Sequence, residues 1–442
     1  MGRYYSAIAW IELFGVLLLG IPILLPGRII DVKWHSLILI ALFAAWRLRW
    51  LYSLILVIKT VFVDRPLTKN YKSGDLFNPL RVLLYLTLIS TCISLWASAD
   101  RTVSLISAGY LLFGVALFTA LMNWPPVQHN VLYNALFLLL VGTGLAILSP
   151  PLVAWKPEFR LFYLPLYDRL TAIPLNFGET IHANVLAGAL VLILPILFAL
   201  TWQKFYRYLA IFLFLFVSTI LVLTQSRAGY LAIAVALPLV VLLRWPRFLY
   251  GLLPVLVALV LFLQQAGVYR LLDQFGLDGA VGGWQGRLDI WRNSLLAISD
   301  FAFTGIGIGT FTLVMPLLYP LQVSVEEYPH AHNLFLQIGL DLGLPGLVAY
   351  LAIIINLVVM LIATLRSRYT LPLHRTLAIG ATGSLVGMLI HGLLDAVTWG
   401  TKLAFVPWIL FALITQLFLY TQATQATHKA ASAVSNNAYP GK

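Results

Sequence analysis

Charge is scarce in this 442-residue chain: 10% of its residues are Asp, Glu, Lys or Arg, against 61% hydrophobic. That balance excludes an ordinary soluble domain. Cysteine is nearly absent as well. Cys92 stands alone, so no intrachain disulfide can form, and it lies in an apolar run without an activating neighbour. The apolar runs are continuous, not alternating, which argues against a membrane β-barrel. No cleavage site of the signal-peptide kind follows the first run, so that run reads as a retained helix. No internal repeat is evident, which counts against an inverted-repeat transporter.

What the chain does have is apolar runs of about 18 residues or more along its whole length, each long enough to cross a bilayer as a helix. The expectation is an all-α polytopic membrane protein of about twelve transmembrane helices. They fall near 7–25, 34–50, 79–97, 104–122, 131–149, 183–201, 208–223, 229–243, 249–265, 334–363, 376–394 and 404–421. Residues 51–63 are also apolar, but Lys59 and the flanking Arg47, Arg49 and Arg65 put them in the interface. Twelve spans leave both termini on one side. That side carries sixteen basic residues against two acids, Asp64 and Asp75, and the other carries eleven basic residues and about thirteen acids. The positive-inside rule then makes the termini cytoplasmic and the loops 150–182 and 266–332 external. The net charge of +12 is thus a topology signal and not a nucleic-acid patch. Residues 1–421, external loops included, form one membrane domain; 422–442 read as a short, polar, disordered cytoplasmic tail.

The first external loop holds five prolines, with Trp155, Phe159, Phe162, Tyr163 and Tyr167 between them at near-helical spacing. Such aromatics suit a segment lying in the headgroup layer. In the second loop, Trp284, Leu288, Trp291, Leu295 and Ile298 recur at three- and four-residue intervals. This predicts a short amphipathic helix that rests on the membrane surface, holds Arg287 over the bundle and ends near Ser299. Gly305-Ile306-Gly307-Ile308-Gly309 follows. It reads as a tight turn or as a phosphate contact, and it lacks the strand and the lysine of a nucleotide loop.

Several polar knots sit where spans meet water. His330-Ala331-His332-Asn333 opens the tenth span, and its imidazoles either cap the helix or act as a base or ligand. The nearby Glu326 and Glu327 show no recognised zinc spacing. Arg227, in Ser226-Arg227-Ala228-Gly229, is a snorkelling anchor or an anion receiver. Together with Arg287 it could neutralise much of a diphosphate. His182-Ala183-Asn184 and the pair His391 and Asp395 serve either bundle-stabilising hydrogen bonds or a site. Glu12, inside the first span, is costly there unless paired or protonated.

Gly286-Arg287-Leu288-Asp289-Ile290-Trp291, the glycine run with Thr310-Phe311, His332-Asn333-Leu334 and Gly343-Leu344-Pro345-Gly346-Leu347 resemble, in order and spacing, the signature of the O-antigen ligase and O-antigen polymerase superfamily. Ser226-Arg227-Ala228-Gly229 is similar to that family's other recurrent motif. The likeness covers roughly 220–400, with His182-Ala183-Asn184 as an extra point. It implies a membrane-embedded, inverting, metal-independent glycosyltransferase of the GT-C type at the outer face of a bacterial plasma (inner) membrane. The donor it implies is a glycan on undecaprenyl diphosphate. The acceptor is a sugar hydroxyl, of lipid A–core in a ligase or of a lipid-linked chain in a polymerase. By the same likeness His332 is the catalytic base, and Arg227 and Arg287 bind the diphosphate. His330, Arg169, Arg292, His182 and Asn184 are further candidates for substrate contact. No cofactor and no nucleic acid are implied. A protein-targeting oligosaccharyltransferase and a twelve-helix transporter are the competing readings.

Overall fold

A computed structural model of the chain describes residues 2–25, 31, 34–47, 80–155, 165–173, 181–266, 284–321 and 329–438. In chain order the helices are α1 Gly2–Leu24, α2 His35–Arg47, α3 Arg81–Ala97, α4 Arg101–Asn123, α5 Pro125–His129 and α6 Leu132–Leu152. Next come α7 Leu166–Thr171, α8 Ala183–Val191, α9 Leu194–Leu200, α10 Arg207–Thr224, α11 Arg227–Arg244 and α12 Leu249–Ala266. The last five are α13 Trp284–Asp300, α14 Phe311–Leu318, α15 Leu334–Arg366, α16 Pro372–Leu394 and α17 Val406–Ala438. A two-residue parallel ladder, β1 Val153–Ala154 with β2 Ile181–His182, joins the two ends of the 150–182 loop.

The chain is an all-α polytopic membrane protein. Among the described residues nine helices are long and apolar enough to cross a membrane, α8 and α9 together counting as one. The other three expected spans also fall on helices: the shorter α2 and α3, and α12. The interfacial reading of 51–63 lies outside the described residues. Cys92 is exposed on α3, as a lipid-facing residue is. Glu12 is buried within α1.

Where the expectation and the fold differ, packing explains the difference. Residues 422–438 continue α17 as helix, because alanine recurs there and the helix is already nucleated by the buried turns before it. Trp155 and Tyr167 are not spread in a headgroup layer; both are buried, 7% and 1% exposed, with ring centroids 6.3 Å apart. Phe159, Phe162 and Tyr163 lie outside the described residues. α13 forms where predicted, but its inward face is turned. Ile290, Ser294, Ala297 and Ile298 are buried, whereas Leu288, Leu295 and Leu296 are exposed. Burying Ile290 and Ile298 is worth about 1.5–3 kcal/mol each, and they pack with Ile306, Phe311, Met315 and Leu340 into a small core of their own.

α15 breaks at Gly343, which has φ 68° and ψ −176°. A Cβ there would lie 2.7 Å from the carbonyl oxygen of Ala302, so only glycine fits. The segment after α13 occupies the break. Leu344 N donates to Ala302 O (2.7 Å) and Ile306 N to Leu340 O (2.7 Å). The glycine run is therefore a turn wedged against a broken span. The amides of Gly305, Ile306, Ile308, Gly309 and Thr310 all donate to protein acceptors. They are not free to cradle a phosphate.

Candidate active site

A cavity of about 660 Å³ opens at one end of the bundle. The C-terminal ends of α10 and α16 and the N-terminal ends of α8, α11 and α15 reach it. Its wall includes His182, Asn184, Arg227, Arg287, His330, His332 and Asp395. Three helix N-termini converge there, and each turns the positive end of its dipole toward the cavity. The local field favours an anion before any side chain is counted.

Each motif is held by its own local chemistry. Gln225 adopts a left-handed conformation (φ 52°) and ends α10. Ser226 then caps α11 by accepting from Gly229 N (3.1 Å), which makes Arg227 the first residue of the helix. Tyr167 pins this turn, donating to Leu223 O (2.8 Å) and accepting from Gln225 Nε2 (2.7 Å). A second turn repeats the device. His332 is left-handed (φ 47°), and Asn333 caps α15 by accepting from Phe335 N and Leu336 N. Non-glycine residues in that region cost about 1–2 kcal/mol, and such strain gathers at functional sites. Asn333 Nδ2 also donates to Leu393 O (3.2 Å), which draws the histidine turn onto the end of α16.

Asp395 lies at the centre. It is 2% exposed and its Oδ1 faces His330 Nε2 at 3.3 Å and His332 Nδ1 at 3.6 Å. Oδ1 also accepts from Ala396 N (2.9 Å), and Oδ2 from Asn184 Nδ2 (3.0 Å). Burial would push this carboxyl up, but His330, His332, His391 and Arg287 outweigh it and hold it down at about 2. Asp395 is an anion at any physiological pH. Burial lowers both His330 and His332; Arg287 and, for His332, the neighbouring imidazole lower them further, against the opposing pull of Asp395. Both rings are neutral near pH 7.

A hydrogen bond fixes the tautomer of one imidazole, and the position of Asp395 orients the other. His330 Nδ1 accepts from the backbone N–H of His332 (3.2 Å), so its proton is on Nε2, toward Asp395. That ring has no lone pair left to offer. His332 turns Nδ1 toward Asp395, and a proton there leaves the lone pair on Nε2. His330, His332 and Asp395 also set one ligating atom each within 4.8 Å of one another, a trio that could hold a cation. Its acid is Asp395, 63 residues from His332, which no local spacing reveals. The His330 tautomer and the Arg287 cation favour hydrogen bonding over metal ligation.

Arg227 and Arg287 both line the cavity, and their charges lie close enough to interact. His182 accepts from Asn184 N (3.2 Å) and so caps α8, while Asn184 reaches Asp395. Arg169 and Arg292 are exposed and are not brought into the wall. At 100° per residue Arg292 sits about 140° around α13 from Arg287, and Arg169 is opposite the buried Tyr167 on α7. Glu326 and Glu327 lie outside the described residues. Two acids, Asp395 and Asp341, belong to the wall, and the sequence alone singles out only the first. Asp395, which the sequence pairs with His391 for either a bundle contact or a site, faces His330 and His332 instead, and Asp341 is an acid inside a span, itself a signal of function.

Fold and cavity together define a polytopic membrane protein with a cationic, imidazole-lined pocket at one end of its bundle. Residues 211–351 match a family model described as O-antigen ligase, which supports the likeness to the O-antigen ligase and polymerase superfamily. Comparison with curated proteins gave no match. The matched segment contains Arg227, Arg287, His330 and His332; Asn184 and Asp395 join them only through the fold.

Proposed function

We propose that the chain is an O-antigen ligase, moving a glycan from undecaprenyl diphosphate to a sugar hydroxyl of lipid A–core at the periplasmic face of a bacterial inner membrane. The observation that carries the reading is one cavity holding two guanidinium groups and a neutral imidazole backed by a buried carboxylate. The guanidiniums suit a diphosphate, which each can meet with paired N–H donors. The imidazole suits a hydroxyl that must lose its proton.

The acceptor oxygen attacks the anomeric carbon as the bond from that carbon to the phosphate oxygen breaks, which inverts the centre. The proton passes to His332 Nε2. Asp395 stabilises the resulting imidazolium, and Arg227 and Arg287 stabilise the charge that grows on the departing diphosphate. His332 Nδ1 is 3.6 Å from Asp395, a gap that a small rotation of the ring closes; such contacts commonly tighten only with substrate bound. His182 and Asn184 serve by holding Asp395 and the cavity rim. No metal is invoked.

Polymerase and protein-directed transfer use the same donor chemistry and differ in the acceptor. A transporter instead needs a gradient. Purified protein given lipid-linked glycan and lipid A–core in detergent, with no gradient, is expected to form the glycosidic product. Arg287→Lys is expected to lose on the order of 10²-fold, since a point charge cannot replace paired donors. Full activity in that variant would reduce Arg287 to an anchor, and no transfer by the wild type would reject the enzyme.

A further inference from the structure

We infer that Gln337 and Asp341 are positioning residues that hold the proposed base and the proposed phosphate clamp in register through the backbone of Ala331. Ala331 lies between His330 and His332 and is fully buried. Its N–H donates to Gln337 Oε1 (2.8 Å), and its carbonyl accepts from Trp291 Nε1 (3.0 Å). Trp291 is four residues past Arg287 on α13 and so shares its face. The backbone of a single residue thus connects the histidine turn to the helix that carries the arginine.

Gln337 is fixed in turn. Its Nε2 donates to Asp341 Oδ1 (2.9 Å), one helical turn further on. Asp341 also accepts from Gly309 N (3.2 Å) on Oδ1 and from Trp399 Nε1 (2.8 Å) on Oδ2. Trp399 belongs to the segment that follows Asp395, and its own N–H donates to Ala396 O (3.0 Å). Three pieces of chain, two of which carry proposed site residues, therefore converge on one buried carboxylate. A buried carboxylate is weak evidence for stability, because well-packed apolar substitutes often serve as well. What an apolar residue cannot do is fix the angle and spacing of three separate donors.

The inference rests on the transferase reading, and its test carries a readout independent of it. Gln337→Leu removes both hydrogen bonds at nearly constant volume. Gln337→Glu keeps an acceptor for Ala331 N–H and can bond Asp341 through one shared proton. Both are made with Cys92→Ser so that nitroxide pairs can be placed at Leu296 and Leu393, exposed positions on α13 and α16. For Gln337→Leu, kcat with lipid-linked glycan is expected to fall on the order of 10²-fold, the scale of a displacement of about 1 Å. Donor KM should stay within about threefold, and the distance distribution between the nitroxides should broaden. Gln337→Glu is expected to restore most of kcat and the narrow distribution. Wild-type kcat in Gln337→Leu overturns the inference, as does equal loss in both variants. An unchanged distribution with lost kcat also overturns it, since the side chain would then act on substrate directly. Failure of the wild type to transfer glycan rejects the transferase reading alone, and the distance measurement still decides whether the network sets the register.

Discussion

Replacing Asp395 with asparagine isolates the electrostatic part of the proposed chemistry. The imidazolium that forms on His332 would sit 3.6 Å from Asp395 Oδ1. At an effective dielectric constant of about 20, two unit charges at that distance attract by about 4.6 kcal/mol. Arg287 and the Asn184 amide already draw on the same carboxylate, so about half of that figure, ~2–3 kcal/mol, remains for the transition state. At about 1.4 kcal/mol per tenfold, kcat for Asp395→Asn falls on the order of 10²-fold. Donor KM is expected to change less than kcat, because Asp395 meets the imidazoles at 3.3 and 3.6 Å and acts on Arg287 only through its field. The amide can match only one of two backing donors, Ala396 N and Asn184 Nδ2. A stability loss of about 1–3 kcal/mol follows from the unmatched one, so activity is to be read below the onset of thermal unfolding. The assay is transfer by purified protein at saturating donor and acceptor, followed by mass analysis of the product. A kcat within threefold of the wild type refutes the role given to Asp395.

Further outcomes follow from the same geometry. Burial keeps the free His332 imidazole well below 6.5, at about 3, so the base is already unprotonated from pH 6 upward. Protonation on acidification would remove the lone pair, and therefore kcat/KM should stay level between pH 8 and 6. An acid limb near 6.5 would point to a solvated histidine instead. Gly309→Ala places a Cβ 2.1 Å from Ser107 Oγ at φ +78°; a loss of about 1–3 kcal/mol is expected in thermal melts, and an unchanged melting temperature would contradict the wedged-turn account.

Much of the architecture was legible because a span announces itself by length and apolarity, whatever it packs against. The Ser226–Arg227 turn and the helix carrying Arg287 were legible for a similar reason: capping residues and a helical repeat are local signals. Asp395 was not. Its relation to His332 comes from the ends of α15 and α16 meeting over one cavity, and sequence spacing describes only residues that share a helix. The turned face of α13 was hidden likewise, since Leu295 and Ile298 look equally apolar until Leu340 and Phe311 select one. The tautomers of His330 and His332 depend on a backbone N–H two residues away and on a carboxylate from another helix, so the residues alone left the choice between the two imidazoles to the family likeness. Gly305–Gly309 could be read as turn or cradle until the partners of its amides were known.

The central claim is that one imidazole, His332, takes the acceptor's proton while His330 is committed to Asp395 and to the backbone. Single-turnover transfer from lipid-linked glycan by His332→Ala and His330→Ala tests it most directly. The account predicts a loss of about 10³-fold or more for His332→Ala, as for removal of a general base. For His330→Ala it predicts a loss within about tenfold, since that ring acts only through position. Near-wild-type transfer by His332→Ala, or the larger loss in His330→Ala, would contradict it.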